Sequence, residues 1–369
     1  MAVTWRADQV GSLLRPAEIV SARQNPETTA EQLAALEDKH ILRVLARQKE
    51  IGLRIFTDGE FRRGGFMSDF YDAVDGFDHQ AAVARDWRPA GERPRGIQGV
   101  GSIHGVVVRK IRQTRRLTKL EVDFLKEHAP GDIKITLPTA NQFPAIIYKN
   151  GMSEKAYATR SELLWDLVPI IKAEIAALVS EGVEYIQIDA PRYSYYIDPK
   201  WRRFIQDEMG MDPEQALDEA IRADNACLEG IRRPGVTIGF HLCRGNHRSH
   251  WYAEGGYDPI AEKLFNELNV DLFLLEYESE RAGTFEPLRF VPQDKGVVLG
   301  LISSKLPELE TEEQVMRRIA EASQYVPMDN LALSPQCGFA SSLEGNLLTE
   351  EEQWAKLGLV VETAHKLWA

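Results

Sequence analysis

Cysteine is scarce in this chain: Cys227, Cys243 and Cys337 are the only three in 369 residues. Three thiols so widely spaced form no disulfide framework, which excludes the small secreted scaffolds held by several bridges. They suit a reducing, cytoplasmic setting where thiolate chemistry is available. Long apolar runs are also missing. No stretch approaches the roughly 20 residues that a membrane helix needs, and the opening residues through Asp8 lack the apolar core of a secretory signal. Positive charge is in deficit, with 44 Lys and Arg against 56 Asp and Glu and a formal net charge of −12. A general binder of nucleic acid or anionic membrane needs the opposite sign, so neither is an expected partner. No Pro/Gly/Ser linker and no low-complexity segment divides the chain, so a single domain over 1–369 is expected.

What is present is an alternation. Eight short β-rich runs lie at 4–11, 53–60, 133–139, 185–191, 236–243, 270–276, 296–305 and 331–337. Helical patterns at 34–51, 156–181, 213–231, 259–268, 312–322 and 350–368 separate most of them, with a short sixth helix near Pro287. Strand–helix alternation with helix-length connections implies parallel strands. Eight repeats imply α/β architecture closed into a (β/α)8 TIM barrel, with a doubly wound open sheet as the alternative. Residues 64–131 fit no repeat and read as an insertion after the second strand, partly a β-hairpin. Its basic run from Arg109 to Lys119 reads as a solvated hairpin, or as a patch that steers a polyanionic donor.

In such a barrel the active site forms at the C-terminal strand ends. Those ends carry Ser12, Asp58 and Glu60, Thr139, Asp189, His241 and Cys243, Glu276, Ser303 and Lys305, and Cys337. Strand side chains alternate faces, so His241 and Cys243 point the same way, near the barrel mouth. His, two Cys and Glu make a zinc set, since imidazole and thiolate suit this ion and a carboxylate completes the tetrahedron. A lone His-x-Cys is a weak signal, because free cysteine is often a small buried hydrophobe. The Cys227 thiol, inside a helix, is assigned to packing. Glu276 is the ligand expected to yield to a substrate thiolate. The site would lower a bound thiol's pKa and leave its sulfur nucleophilic. Arg244, directly after Cys243, could bind an anionic substrate group. His247 and His250, in the same loop, read as solvent-facing rather than as a second metal site.

At these residues the sequence resembles the catalytic barrel of cobalamin-independent methionine synthases. The shared pieces are His241-Leu242-Cys243, Glu276, Ser334-Pro335-Gln336-Cys337-Gly338, Val10-Gly11-Ser12, Asp58-Gly59-Glu60 and Gln187-Ile188-Asp189. The resemblance implies zinc at His241, Cys243, Glu276 and Cys337, and homocysteine held by Ser12, Glu60 and Asp189, with Asp58 a further candidate. It implies methyl transfer to that thiol in methionine biosynthesis, with a methylated folate as a donor to test. Three departures bear on the donor rather than on thiol activation. The full-length family has two barrels and this chain has room for one. Its Asp-Glu-Pro pattern reads Asp189-Ala190-Pro191 here. The family's catalytic histidine is replaced by Ile302-Ser303-Ser304-Lys305, which makes Ser303 and Lys305 candidates to assist the donor. The alternatives are a related alkyltransferase using another thiol or donor (an epoxide, a corrinoid methyl or a methoxylated compound), a non-catalytic protein with a structural zinc, and a zinc-free decarboxylase. The oligomeric state, a homo-oligomer included, stays open.

Overall fold

The computed structural model describes residues 3–89, 100–231 and 235–368. Its main sheet has seven parallel strands: β1 (Ile55–Phe56), β2 (Asp132–Pro138), β3 (Tyr185–Asp189), β4 (Thr237–Leu242), β5 (Leu272–Glu276), β6 (Gly296–Ile302) and β7 (Leu331–Pro335). Spatial order follows chain order, and every neighbouring pair is parallel. Helices connect most of the strands and cover the outside, as expected for an α/β barrel. The helices start at their capping residues. Thr29 and Gln32 form a capping box that moves one start from 34 to Ala30, and Thr159 caps Arg160–Ser180. Glu312–Ala322 and Glu350–Trp368 match their sequence patterns. Near Pro287 a 3-10 turn, Glu286–Phe290, stands where a short helix was expected.

The eighth barrel position differs from expectation. Residues 4–11 form no strand and make one bridge, Ala7 to Leu333. Main-chain bonds there run from the Asp8 N–H to Leu333 O (2.8 Å) and from the Leu333 N–H to Arg6 O (2.9 Å). On the other edge side chains take over. Gln9 Nε2 donates to Ile55 O at 3.2 Å, and Thr57 Oγ1 donates to Gly11 O at 2.8 Å. The extended run is interrupted because the Gln9 N–H turns to the Asp8 carboxylate (2.7 Å) and Gly11 adopts φ +137°.

The barrel interior is layered. At the N-terminal strand ends Trp5 stacks on Tyr185, with ring centroids 5.0 Å apart, among Ile55, Leu272, Leu274, Val298 and Ala332. Next comes a polar layer in which Lys134 Nζ donates to Asp8 and to Gln187 Oε1 (3.0 Å), and Tyr185 OH donates to Asp8 (2.9 Å). Gly239 lies in β4 two residues before His241. A Cβ at Gly239 would stand 2.8 Å from the Tyr185 ring, so the absence of a side chain lets the bulky layer fit under the site.

The insertion contains the helix Ser68–Ala73, the antiparallel pair Val74–Asp86 and Val100–Gln113, and the helix Lys119–His128. Residues 90–99 of the inserted stretch lie outside the described residues. A two-residue strand, Arg88–Pro89, pairs with His250–Trp251 and ties the insertion to the loop after β4. The basic run is largely neutralised at home: Arg112 pairs with Asp75 (2.9 Å), Arg116 with Glu174 (2.8 Å) and Glu181 (3.0 Å), and Lys119 with Asp123. That pairing favours the hairpin reading over the steering one.

Candidate active site

Apart from β5, which ends at Glu276 as its pattern does, the strands stop earlier than their sequence patterns, so the reactive groups sit on strand ends and the first loop residues. His241 is inside β4, and Cys243 follows its last residue. Cys337 lies two residues past β7. Despite the sequence distance, one ligand atom from each of the three lies within 4.8 Å of the others. All three side chains are buried. Both His241 ring nitrogens lack a hydrogen-bond partner, which is costly for a buried imidazole unless something else binds it. Two sulfurs and an orphaned nitrogen at this spacing fit a single zinc ion by donor type and by reach. The thiols are electrically unequal. The adjacent Cys243 thiol holds Cys337 well below the ordinary thiol range, against burial, with His241 and Lys305 assisting. The same pairing, with burial, pushes Cys243 up. His241 is raised despite burial, by Cys337, Asp189 and Glu276.

The triad opens into a cavity of about 380 Å³ that is also lined by Ser12, Glu60, Asp189, Arg192, Trp87 and Tyr252. Glu60 adopts φ 58°, a left-handed conformation uncommon outside glycine and often found at functional sites. Its Oε1 accepts from Thr136 Oγ1 at 2.8 Å, and its Oε2 is buried without a partner. Gly11 makes room for it, since a Cβ there would be 3.0 Å from Glu60 Oε1. Asp189 accepts from Gln187 Nε2 at 2.8 Å. Burial raises Asp189 to about 7, with His241 and Gln187 opposing and Glu60 adding to the rise. Ser12 receives the Ala340 N–H on its Oγ at 3.3 Å and packs against Gly338.

Residues 7–366 match the family model described as the catalytic domain of cobalamin-independent synthase. The chain belongs to that family. It is 40% identical over 370 residues to the uncharacterized protein YxjH of Bacillus subtilis, covering 99% of this chain and 95% of that protein. It is 25% identical over 358 residues to a methionine synthase of Saccharolobus solfataricus, covering 96% of this chain and 92% of that one. Its fold superposes on the crystal structure of a vitamin-B12-independent methionine synthase, so titled as putative, from Listeria monocytogenes. That superposition has a TM-score of 0.74 at 31% identity and covers 100% of this chain and 99% of the other.

Of the other candidate residues singled out in the sequence, His247 lines the cavity and the rest lie around it. Glu276, the last residue of β5, accepts from Arg281 Nη2 (2.5 Å) and from the Arg244 N–H (2.9 Å). It lies outside the three-residue ligand group. The Arg244 guanidinium turns to Gly255 O, Tyr257 OH and the Glu276 carbonyl, and does not line the cavity. Asp58 accepts the Glu60 N–H at 2.7 Å and shapes the turn that carries Glu60. Ser303 Oγ caps the Lys305 and Leu306 N–H groups, and Lys305 Nζ reaches Asn246 Oδ1 at 3.4 Å. Neither side chain lines the cavity. His250 is buried, with Nδ1 2.7 Å from Arg248 O, and the His247 ring packs at a tilt against Trp87, centroids 5.1 Å apart. The loop is therefore covered by the insertion, where solvent exposure was expected. Sequence reasoning passed over Arg192, Trp87 and Arg281. Arg192 had a usable signal, three residues beyond a strand-terminal aspartate, whereas Trp87 reaches the site from the insertion and had none.

Among the described residues no helix is long and apolar enough to cross a membrane. All three cysteines are free thiols.

Proposed function

We propose that this chain is a zinc-dependent S-methyltransferase that methylates a small thiol, homocysteine first among the candidates, to give methionine. The observation that carries the reading is the convergence of His241, Cys243 and Cys337 in a buried cluster open to the cavity. These three would hold the ion, with Glu276 as an exchangeable fourth donor. Zinc, when bound, lowers the pKa of an incoming thiol and keeps the sulfur nucleophilic. Glu60 and Asp189 hold the substrate ammonium by charge-assisted hydrogen bonds, and Ser12 with its neighbouring N–H groups holds the carboxylate. The aligned sulfur attacks the donor's methyl carbon. The S–C bond forms as the donor–methyl bond breaks, and that electron pair leaves with the donor fragment. Alignment within the cavity supplies much of the acceleration. A methylated folate is the first donor to test. A reducing cytoplasm, where Cys243 and Cys337 stay thiols, is the setting this chemistry asks for.

The test contrasts the cysteines. The purified protein is expected to carry one zinc per chain and to consume homocysteine with a methyl donor. Cys243→Ser and Cys337→Ser should lose metal and activity together. Cys227→Ala should keep both, because its thiol faces Val168 O inside the helical layer (3.8 Å). Full activity in metal-free protein would defeat the proposal.

A further inference from the structure

The cavity holds a charge that thiol activation leaves unused. Arg192 lies in the 3-10 turn Pro191–Tyr196 that follows β3, and it lines the cavity together with His241 and Cys243. It is 3% exposed. Its Nε and Nη1 have no hydrogen-bond partner among the described residues. The other deeply buried arginines differ. Arg63 is gripped by Asp69 and Glu121, both at 2.6 Å. Arg244 is held by carbonyls and Tyr257. Arg15 reaches the carbonyls of Ala340 and Glu60 at 3.0 and 2.9 Å.

Aromatic rings, rather than acids, surround Arg192. Its guanidinium carbon lies 4.4 Å from the Tyr195 ring centroid and 5.4 Å from that of Tyr252. Rings flanking a guanidinium fix its plane and offset part of its desolvation, but they leave N–H edges unsatisfied. A buried cation without a counter-charge is expensive, and such a site is completed by an anion that arrives with a ligand. An arginine edge suits a planar oxyanion, which it can bind through two parallel hydrogen bonds. The nearby walls supplied by Trp87, Tyr71 and Tyr252 suit a flat apolar body next to that oxyanion. The amino-acid end of the cavity already has its polar partners in Ser12, Glu60 and Asp189.

We infer that Arg192 is the oxyanion-recognition residue of the donor half of the cavity, and that the alkyl donor is a flat organic carboxylate. The inference rests on the thiol-alkylation reading for the word donor, but the oxyanion site can be measured without any turnover. Benzoate, with benzamide as its uncharged counterpart, serves as the probe in calorimetric titrations of the zinc-loaded protein. Benzoate should bind at least about tenfold more tightly than benzamide. Arg192→Gln should erase that preference, and Arg192→Lys, which keeps the charge and loses the fork, should retain part of it. Equal affinity for the two probes, no benzoate binding, or undiminished binding in Arg192→Gln would each overturn the site. Saturating homocysteine separates the two origins of the oxyanion. Unchanged benzoate affinity supports the donor, whereas competition assigns the oxyanion to the acceptor and overturns the donor assignment. A protein that fails to methylate homocysteine leaves the probe result readable, so the two proposals fail separately.

Discussion

Arg281 Nη2 donates to Glu276 Oε1 at 2.5 Å, and this contact turns the strand-terminal carboxylate toward cations instead of toward the His241–Cys243–Cys337 cluster. Burial favours the protonated acid, yet Arg281, Lys305 and Arg244 together hold Glu276 at about 2, so it is a carboxylate at every working pH. Arg281 also holds Glu278 at 2.5 Å. A fourth ligand arranged this way has two partners to choose between, the guanidinium and the ion. Arg281→Gln strands two buried carboxylates and should destabilise metal-free protein by about 3 kcal/mol, the scale for a broken buried pair. Zinc should restore more stability in the variant than it adds to the wild type, since the freed carboxylate can turn to the ion. Urea unfolding with and without zinc measures both. Equal zinc increments in the two proteins would show that Glu276 does not make that exchange.

Gly338 is fitted to Ser12. A Cβ at 338 would lie 2.0 Å from Ser12 Oγ, far inside contact distance. The clash is with a hydroxyl that can rotate, so Gly338→Ala should fold while losing about 1–2 kcal/mol and much of its homocysteine affinity. Removing the hydroxyl relieves the clash. The double variant Ser12→Ala/Gly338→Ala should therefore be more stable than Gly338→Ala alone, although its thiol binding stays weak. Thermal melts of the four proteins in the cycle give the coupling directly. Additive losses would mean that the segment after Cys337 adapts in some other way.

The barrel and the meeting of His241, Cys243 and Cys337 were legible in the sequence for a physical reason. Continuous apolar runs such as Leu272–Glu276 belong to strands buried on both faces, and a polar group closing such a run has few places to go except the barrel mouth. The Thr237–Leu242 run gave the shared face of His241 and Cys243 by alternation alone. What could not be read depends on partners far away in the chain. Asp58 and Glu60 look equivalent as letters, and each keeps one buried oxygen without a partner, but only Glu60 lines the cavity, while Asp58 accepts the turn N–H that carries it there. Arg244 and Arg192 each follow a strand-end residue of the site. Carbonyls from the next loops occupy Arg244, whereas Arg192 packs against rings and keeps Nε and Nη1 without an acceptor among the described residues. Residues 4–11 have β-type composition, but the Gln9 N–H bond to the Asp8 carboxylate and the φ of Gly11 were invisible before folding.

Asp189 ties the site to pH in two opposite directions. Burial is the main cause that lifts its carboxyl from 3.8 to about 7, assisted by Glu60 and resisted by His241 and Gln187. Below about pH 7 the free site therefore holds a neutral acid, which pairs poorly with an ammonium group. Homocysteine should bind the wild type more tightly as pH rises from 6 to 8, and Asp189→Asn should lose the part of that rise that belongs to this group. Stability runs the other way. A folded pKa above the unfolded one means that the native state binds more protons between about pH 4 and 7, so stability falls with rising pH across that window and levels off above it. A tenfold difference in proton affinity between the folded and unfolded chain is worth about 1.4 kcal/mol, so Asp189→Asn should gain a few kcal/mol relative to wild type on going from pH 4 to 8. Unfolding free energies of both proteins across that range, set beside homocysteine titrations, check the two slopes. If both survive unchanged in Asp189→Asn, the titrating group is a different one and Asp189 does not hold the ammonium.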